Sequence, residues 1–564
     1  MKNILLFFLY CCTSIQLFAQ CGTIIMYNGV IFTAANDATE YESIAINKEG
    51  RIIAVGSYEE MKAFKCTETK MINLEGKFVM PGLIEGHGHL LGIGSNLFEI
   101  NLLNSNSWET ACEALTQYKL KHPGDNWISG RGWHQEKWDK LPQDIVEGYP
   151  TNKCLNEICP DRPVVLSHAS GHALIANQFA LKAAGITQDT KDPEGGRILR
   201  DNEGNLTGVL EENAMDLIYL AKSLLLVSET TEQEYQHWLR YVLAAQEELT
   251  QYGITSFTDA GVTLKQLDFY KRAYSEKTLK NFRSWLMIRD DLIAIPRYSS
   301  PLPYFDQKDN LLQCRAFKAY ADGALGSYGA ALLKPYNDKK DHMGQVVTSI
   351  YDLKKMADIA KNKNMQLCIH AIGDRANRTV LDLYESVNGS RPNNDLRWRI
   401  EHAQHVDTSD FIRFAQLGVI ASMQTVHCTS DAAFVNIRLG EERAKRTSYA
   451  WRTMLDNGVK LANGTDAPVE SVSPFASIYA AMTRIIPKTQ VSFNPEQCMT
   501  RREALLSYTI WNAYASFTEQ NTGSLIAGKY ADLVVLDRNL LTCEVSTVPD
   551  TKVLMVVFNG NIIK

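Results

Sequence analysis

Eight short apolar runs of strand character recur between residues 82 and 469, and several are separated by helical patterns. They are GLIEGHGHL (82–90), GITSFTDAG (253–261), NFRSWLMI (281–288), RAFKAYADG (315–323), QLCIHAIG (366–373), RWRIEHAQ (397–404), VIASMQT (419–425) and KLANGTDAPV (460–469). Between them lie segments such as SIYDLKKMADIAKNKN and RANRTVLDLYESVN, whose apolar residues repeat at helical spacing. Eight strand–helix units are the count of a (β/α)8 barrel, an α/β fold in which reacting residues gather at the C-terminal strand ends.

Two regions depart from the alternation. At both chain ends, stretches such as ESIAINKEGRIIAVGS and ADLVVLD read as short strands broken by Asn-Gly and Glu-Gly turns. They predict a small β-sandwich built from residues 22–82 and 505–564 around a barrel spanning 83–504. Residues 100–230 separate the first strand from the second and predict an inserted α/β subdomain on the first βα loop, where it overhangs the barrel mouth. A composition of 45% hydrophobic and 22% charged residues supplies ample core for this distorted barrel with additions. The net charge of −6, with no basic block, argues against nucleic acid as a partner.

The strand ends carry the chemistry. His87 and His89 close the first run, Lys318 lies in the fourth, His370 in the fifth, His402 in the sixth and Asp466 in the eighth. Residues two apart on a strand share a face. By that parity Cys368 and His370 face the lumen, and so do Ile400, His402 and Gln404, opposite Glu401. Four imidazoles and a carboxylate suit one or two divalent ions, Zn2+ foremost. A lysine among them is expected to be neutral, displaced, or converted by carbon dioxide to a carbamate.

The motifs PGLIEGHGHL, ISGRGWHQEKW, SHASGHALIAN, FKAYADGALGSYGAAL, IHAIGDRAN, RIEHAQHV, NGTDAPVE and GSLIAGKYADLVVLD occur in that order. Together they resemble the amidohydrolase superfamily, most closely its YtcJ-like branch, the amidohydrolase 3 family. The resemblance implies a metal-dependent hydrolase on a distorted (β/α)8 TIM barrel with a split β-sandwich. It implies His87, His89, His370 and His402 as metal ligands, Lys318 as a carboxylated bridging lysine, and Asp466 as ligand and general base. Glu85 departs from the aspartate often found two residues before the first histidine, which touches a supporting contact rather than the metal pair.

His172 and Trp133 in the insertion, and Asp322 on the Gly-rich loop after the fourth strand, are the expected substrate-binding residues. His427, after the seventh strand, is a weaker candidate for the pocket. The expected activity is hydrolysis of a C–N bond in a small-molecule amide, N-formyl or N-acyl compound by metal-activated water. A mononuclear imine-type deaminase of the same superfamily and a non-catalytic binding or regulatory relative are the alternatives.

Residues 1–19 read as a secretory signal, which makes the protein exported, periplasmic or secreted. Lipid attachment at Cys21 is an alternative, and no later segment is long and apolar enough to span a membrane. A disulfide between Cys154 and Cys159 is permitted in that compartment. A homodimer is the default oligomer.

Overall fold

The computed structural model describes residues 21–35, 40–124, 126–225, 230–306, 310–390 and 395–564. The expected signal segment lies outside them. Eight strands form one parallel sheet in chain order: Leu83–Gly88 (β1), Ile254–Val262 (β2), Arg283–Ile288 (β3), Leu312–Tyr320 (β4), Gln366–Ala371 (β5), Arg399–His402 (β6), Ile420–Met423 (β7) and Leu461–Asn463 (β8). They are buried on both faces, which is why their sequences read as nearly continuous apolar runs. Ala260, Trp285, Met287, Ala316 and Cys368 fill the lumen. Alternating residues such as Phe257, Leu286, Phe317, Ile369 and Ile400 pack outward in the larger core. The helix Ile350–Asn362 buries Leu353, Met356, Ala357 and Ala360, a set at helical spacing, and its first turn is capped by Ser349, whose side chain accepts from Asp352 N.

No ladder joins β8 to β1 among the described residues. The gap is bridged by Asn512 on the helix Ile510–Ala515, whose Nδ2 donates to Ile84 O and Asn463 O, each at 2.7 Å, while its Oδ1 accepts from Asn463 N at 2.9 Å. One side-chain amide thus replaces the missing backbone partners. Past the strand ends, Asp466 N donates to His87 O at 2.8 Å.

The two chain ends build a sandwich. One sheet holds Gly22–Tyr27, Ser43–Ile46, Ile52–Gly56 and Lys65–Asn73; the other joins Val30–Phe32 and Phe78–Pro81 to Leu533–Leu536 and Val553–Phe558. Met26, Ile44, Val79, Leu533 and Val557 pack between them. The insertion has its own six-stranded sheet, ordered 196–200, 206–212, 173–176, 164–168, 128–133 and 100–101.

The cysteines pair differently from the expectation. Cys154 bonds Cys112, with Cα atoms 6.5 Å apart, because the helices Trp108–Lys121 and Lys153–Ile158 pack side by side. Cys159 is free and buried in the insertion core. Cys21 bonds Cys66, with Cα atoms 5.9 Å apart. Among the described residues no helix is long and apolar enough to cross a membrane.

Candidate metal centre

The strand ends bring one constellation together. The ring centroids of His87 and His89 lie 5.7 Å apart, those of His87 and His402 4.8 Å, and those of His370 and His402 4.5 Å. Asp466 sits among them, its Oδ1 at 3.1 Å from His89 Nε2 and 3.5 Å from His87 Nε2. Two sets of donor atoms lie within 4.8 Å of one another: His87, His89 and Asp466, and His402, His427 and Asp466. His427 therefore joins the constellation. It stands in the first turn of the helix Thr425–Leu439, which starts at the end of β7.

Backbone geometry aims two of these groups. His402 (φ +75°) and Asp466 (φ +57°) both adopt the left-handed region, where a non-glycine residue stores strain, and such residues cluster at functional sites. This corrects the parity reading of β6. Arg399 and Glu401 are the lumen-facing pair, Ile400 packs outward, and His402 reaches the centre because the chain turns there.

The supporting contacts set the imidazole tautomers. His87 Nδ1 hydrogen-bonds the carboxylate of Glu401, which is itself held by Arg399, with Nε 2.7 Å from Oε1. His402 Nδ1 lies 2.7 Å from Gln424 Oε1. Protons held on Nδ1 leave the Nε2 lone pairs directed inward, as metal coordination requires. Nε2 atoms of His87, His370 and His427 are buried with no hydrogen-bond partner among the described residues. Those of His87 and His427 belong with Asp466 to the two donor sets and fit a divalent ion, while His370 Nε2 lies 3.6 Å from Asp322 Oδ1.

Electrostatics point the same way. Burial pushes His87 down to about 4 and holds His370 and His402 well below the ordinary imidazole value, so the rings are neutral, the form that metal ligation requires. Burial acts to raise Asp466, but the hydrogen bond with His89 holds it well below the carboxylate range, and it is ionised. Glu401 also stays ionised: burial opposes this and Arg399 outweighs it. Glu85, raised to about 8 by burial, accepts from Thr465 N at 2.8 Å and His87 N at 3.2 Å. It thereby ties β1 to the loop carrying Asp466.

Lys318 Nζ has no hydrogen bond or ion pair with protein among the described residues; it lies 4.8 Å from the Tyr320 ring. Its side chain is buried beside Cys368 and His370 of the neighbouring strand.

The substrate-binding expectations separate. His172 lines a cavity of about 50 Å3 with His370, His402, His427 and Asp466. Trp133 does not. It is fully buried among Trp108, Trp138 and Tyr149, and its Nε1 donates to Leu166 O at 2.8 Å, so it is core of the insertion. Asp322 is also corrected. Its carboxylate is fully buried and accepts from Ala331 N, Ile372 N and Gly373 N at 2.8–2.9 Å, so it organises the loop behind His370. The insertion supplies Lys137 instead, which meets Glu470 across the cavity at 3.0 Å.

The Amidohydrolase family model matches residues 70–564 of the chain. This chain belongs to the amidohydrolase family. The candidate amidohydrolase YtcJ of Bacillus subtilis is 30% identical over 96% of this chain and 99% of its own length. An N-substituted formamide deformylase of Arthrobacter pascens is 28% identical, covering 91% and 93%. An uncharacterized metal-dependent hydrolase of Pyrococcus horikoshii superposes with a TM-score of 0.73 at 27% identity, covering 93% and 99%. This amidohydrolase is therefore a hydrolase on a nearly closed eight-stranded parallel barrel, with its His/Asp constellation at the strand ends.

Proposed function

We propose that this amidohydrolase is an exported, metal-dependent enzyme that hydrolyses the C–N bond of a small-molecule amide, N-formyl or N-acyl compound. The observation that carries the reading is the convergence of His87, His89, His402 and His427 on Asp466, with the His370 ring 4.5 Å from that of His402 and the Nε2 atoms of His87 and His427 buried without a hydrogen bond among the described residues. These residues would hold one or two divalent ions, zinc by donor type. Lys318, buried among them without a protein partner, would join as a carbamate whose two oxygens carry the negative charge a bridging ligand needs.

A bound divalent ion supplies water acidified towards neutral pH and a Lewis acid for the carbonyl. Ionised Asp466 accepts the water's proton and returns it to the departing nitrogen. Glu401 and Gln424 hold His87 and His402 in the ligating tautomer throughout. The insertion is held against the barrel beside these groups by the ion pairs Lys137–Glu470 and Arg438–Glu136. Export is supported by two disulfides, since such bonds persist in oxidising compartments.

The test is metal content per chain by mass spectrometry, with the intact mass under non-denaturing conditions and a screen of N-formyl and N-acyl amines. Two divalent ions, the added mass of one carbon dioxide and chelator-sensitive amide hydrolysis are expected. One ion without the added mass moves the reading to a mononuclear deaminase, and no chelator-sensitive hydrolysis refutes it.

A further inference from the structure

The insertion brings one more polar group to the centre, and the structure makes unusual provision for it. The His172 ring lies 5.0 Å from that of His370. Its Nδ1 is 2.8 Å from Glu212 Oε2, while Nε2 has no partner among the described residues and borders the cavity. The two residues are also joined through the backbone, Glu212 N donating to His172 O at 3.1 Å.

Glu212 ends the strand Leu206–Glu212, is buried, and adopts φ +50°, a conformation that disfavours side chains. Its Oε1 occupies space that two glycines leave open. A Cβ on Gly323 would stand 1.9 Å from that oxygen, and one on Gly329 2.7 Å. Neither glycine has a left-handed φ, so room rather than backbone freedom accounts for both. Both belong to the loop that follows β4, the strand of Lys318. A strained residue and two glycines therefore serve one carboxylate whose hydrogen-bonded partner is His172.

We propose that His172 is a catalytic residue contributed by the insertion, which hydrogen-bonds the scissile amide group through Nε2, and that Glu212 is the residue that positions it. The carboxylate keeps a proton on Nδ1 and fixes the ring plane, as an orienting acid does for other catalytic histidines. Because Glu212 is also keyed into the β4 loop, docking of the insertion and placement of His172 are one event. The inference rests on the amide-hydrolase reading.

Four variants test it: His172→Ala, Glu212→Ala, Glu212→Gln and Gly323→Ala, each loaded with zinc and assayed on N-butylformamide, N-butylacetamide and the amides found in the screen. Metal content should be that of the unmodified chain in all four, since none of these residues belongs to the ligand set. His172→Ala should lose about 10²–10³-fold in kcat. Glu212→Ala should lose about 10–100-fold, and Glu212→Gln, which can still accept from Nδ1–H, should recover part of it. Gly323→Ala touches no cavity side chain yet should reproduce the Glu212→Ala loss. Chelator-sensitive hydrolysis that is equal in all four variants and the unmodified chain would overturn the assignment and leave the hydrolase reading standing. No hydrolysis of any amide by the unmodified chain overturns both.

Discussion

The barrel rim and the inserted subdomain offer the cavity the same kinds of side chain by different means. On the rim, β1, β4, β5 and β6 run parallel, so residues at their C-terminal ends converge whatever their distance in sequence. His87 and Asp466 are 379 positions apart (466 − 87), yet their polar atoms lie 3.5 Å apart. In the insertion, proximity in sequence is a poor guide. Trp133 and His134 are neighbours, but Trp133 lies in the core and His134 lines the cavity. His168 and His172 flank one turn, but His168 hydrogen-bonds Ser170 and Gln135 inside the subdomain while His172 reaches His370. The rim is a geometry that any sequence adopting the fold inherits. The insertion's contribution depends on how one particular sheet docks.

Three substitutions press on that contrast. The largest effect is expected on the rim. Asp466→Asn removes the proposed proton acceptor while keeping size, and should lower kcat by about 10²–10⁴-fold with the fold intact by circular dichroism. A variant keeping a tenth or more of the activity would show that the rim carboxylate is not the proton carrier. Next comes the insertion core. Trp133→Ala should destabilise the subdomain by about 3–5 kcal/mol through the cavity it leaves, without changing the metals bound per chain. Metal loss in a chain that still melts cooperatively would mean that the insertion is wired into the centre rather than laid over it.

The smallest effect concerns a histidine just past the rim that is no part of the constellation. Burial, with Arg443 nearby, pushes His405 down to about 3, and its Nδ1 meets Ser448 Oγ at 2.9 Å. The unfolded chain binds a proton there near pH 6.5, so between pH 6.5 and 3 protons favour unfolding, and stability falls as pH falls. From pH 6.5 to 4.5 this group alone removes about 2–3 kcal/mol. His405→Gln should therefore lose correspondingly less stability over that interval in paired denaturant melts. An identical loss in both proteins would place His405 nearer to solvent than the structure has it.

Most of the rim was legible because strand alternation and parallel strand ends are local rules. Cys368 and His370 follow the alternation as read. The rule failed at His402 because a left-handed turn ends β6 early, and no residue type in RIEHAQ signals that turn. His427 escapes the strand-end rule because it stands on a helix, whose first turn tips into the mouth. Asp322 resembled a substrate contact, since a carboxylate on a Gly-rich loop is equally suited to binding backbone N–H groups. Its glycines proved to answer a neighbouring element: Gly323 makes way for Glu212, 111 positions earlier (323 − 212).

Hydrophobic period and strand polarity act over a few residues, and so the barrel, the flanking sandwich and the order in which ligand-type residues meet its mouth can be read from the chain alone. The assembled fold is needed to see which insertion side chains face the cavity, which cysteines pair, and that Asn512 closes the seam between β8 and β1. Those outcomes depend on contacts between segments tens to hundreds of residues apart, and packing, not local propensity, chooses among them.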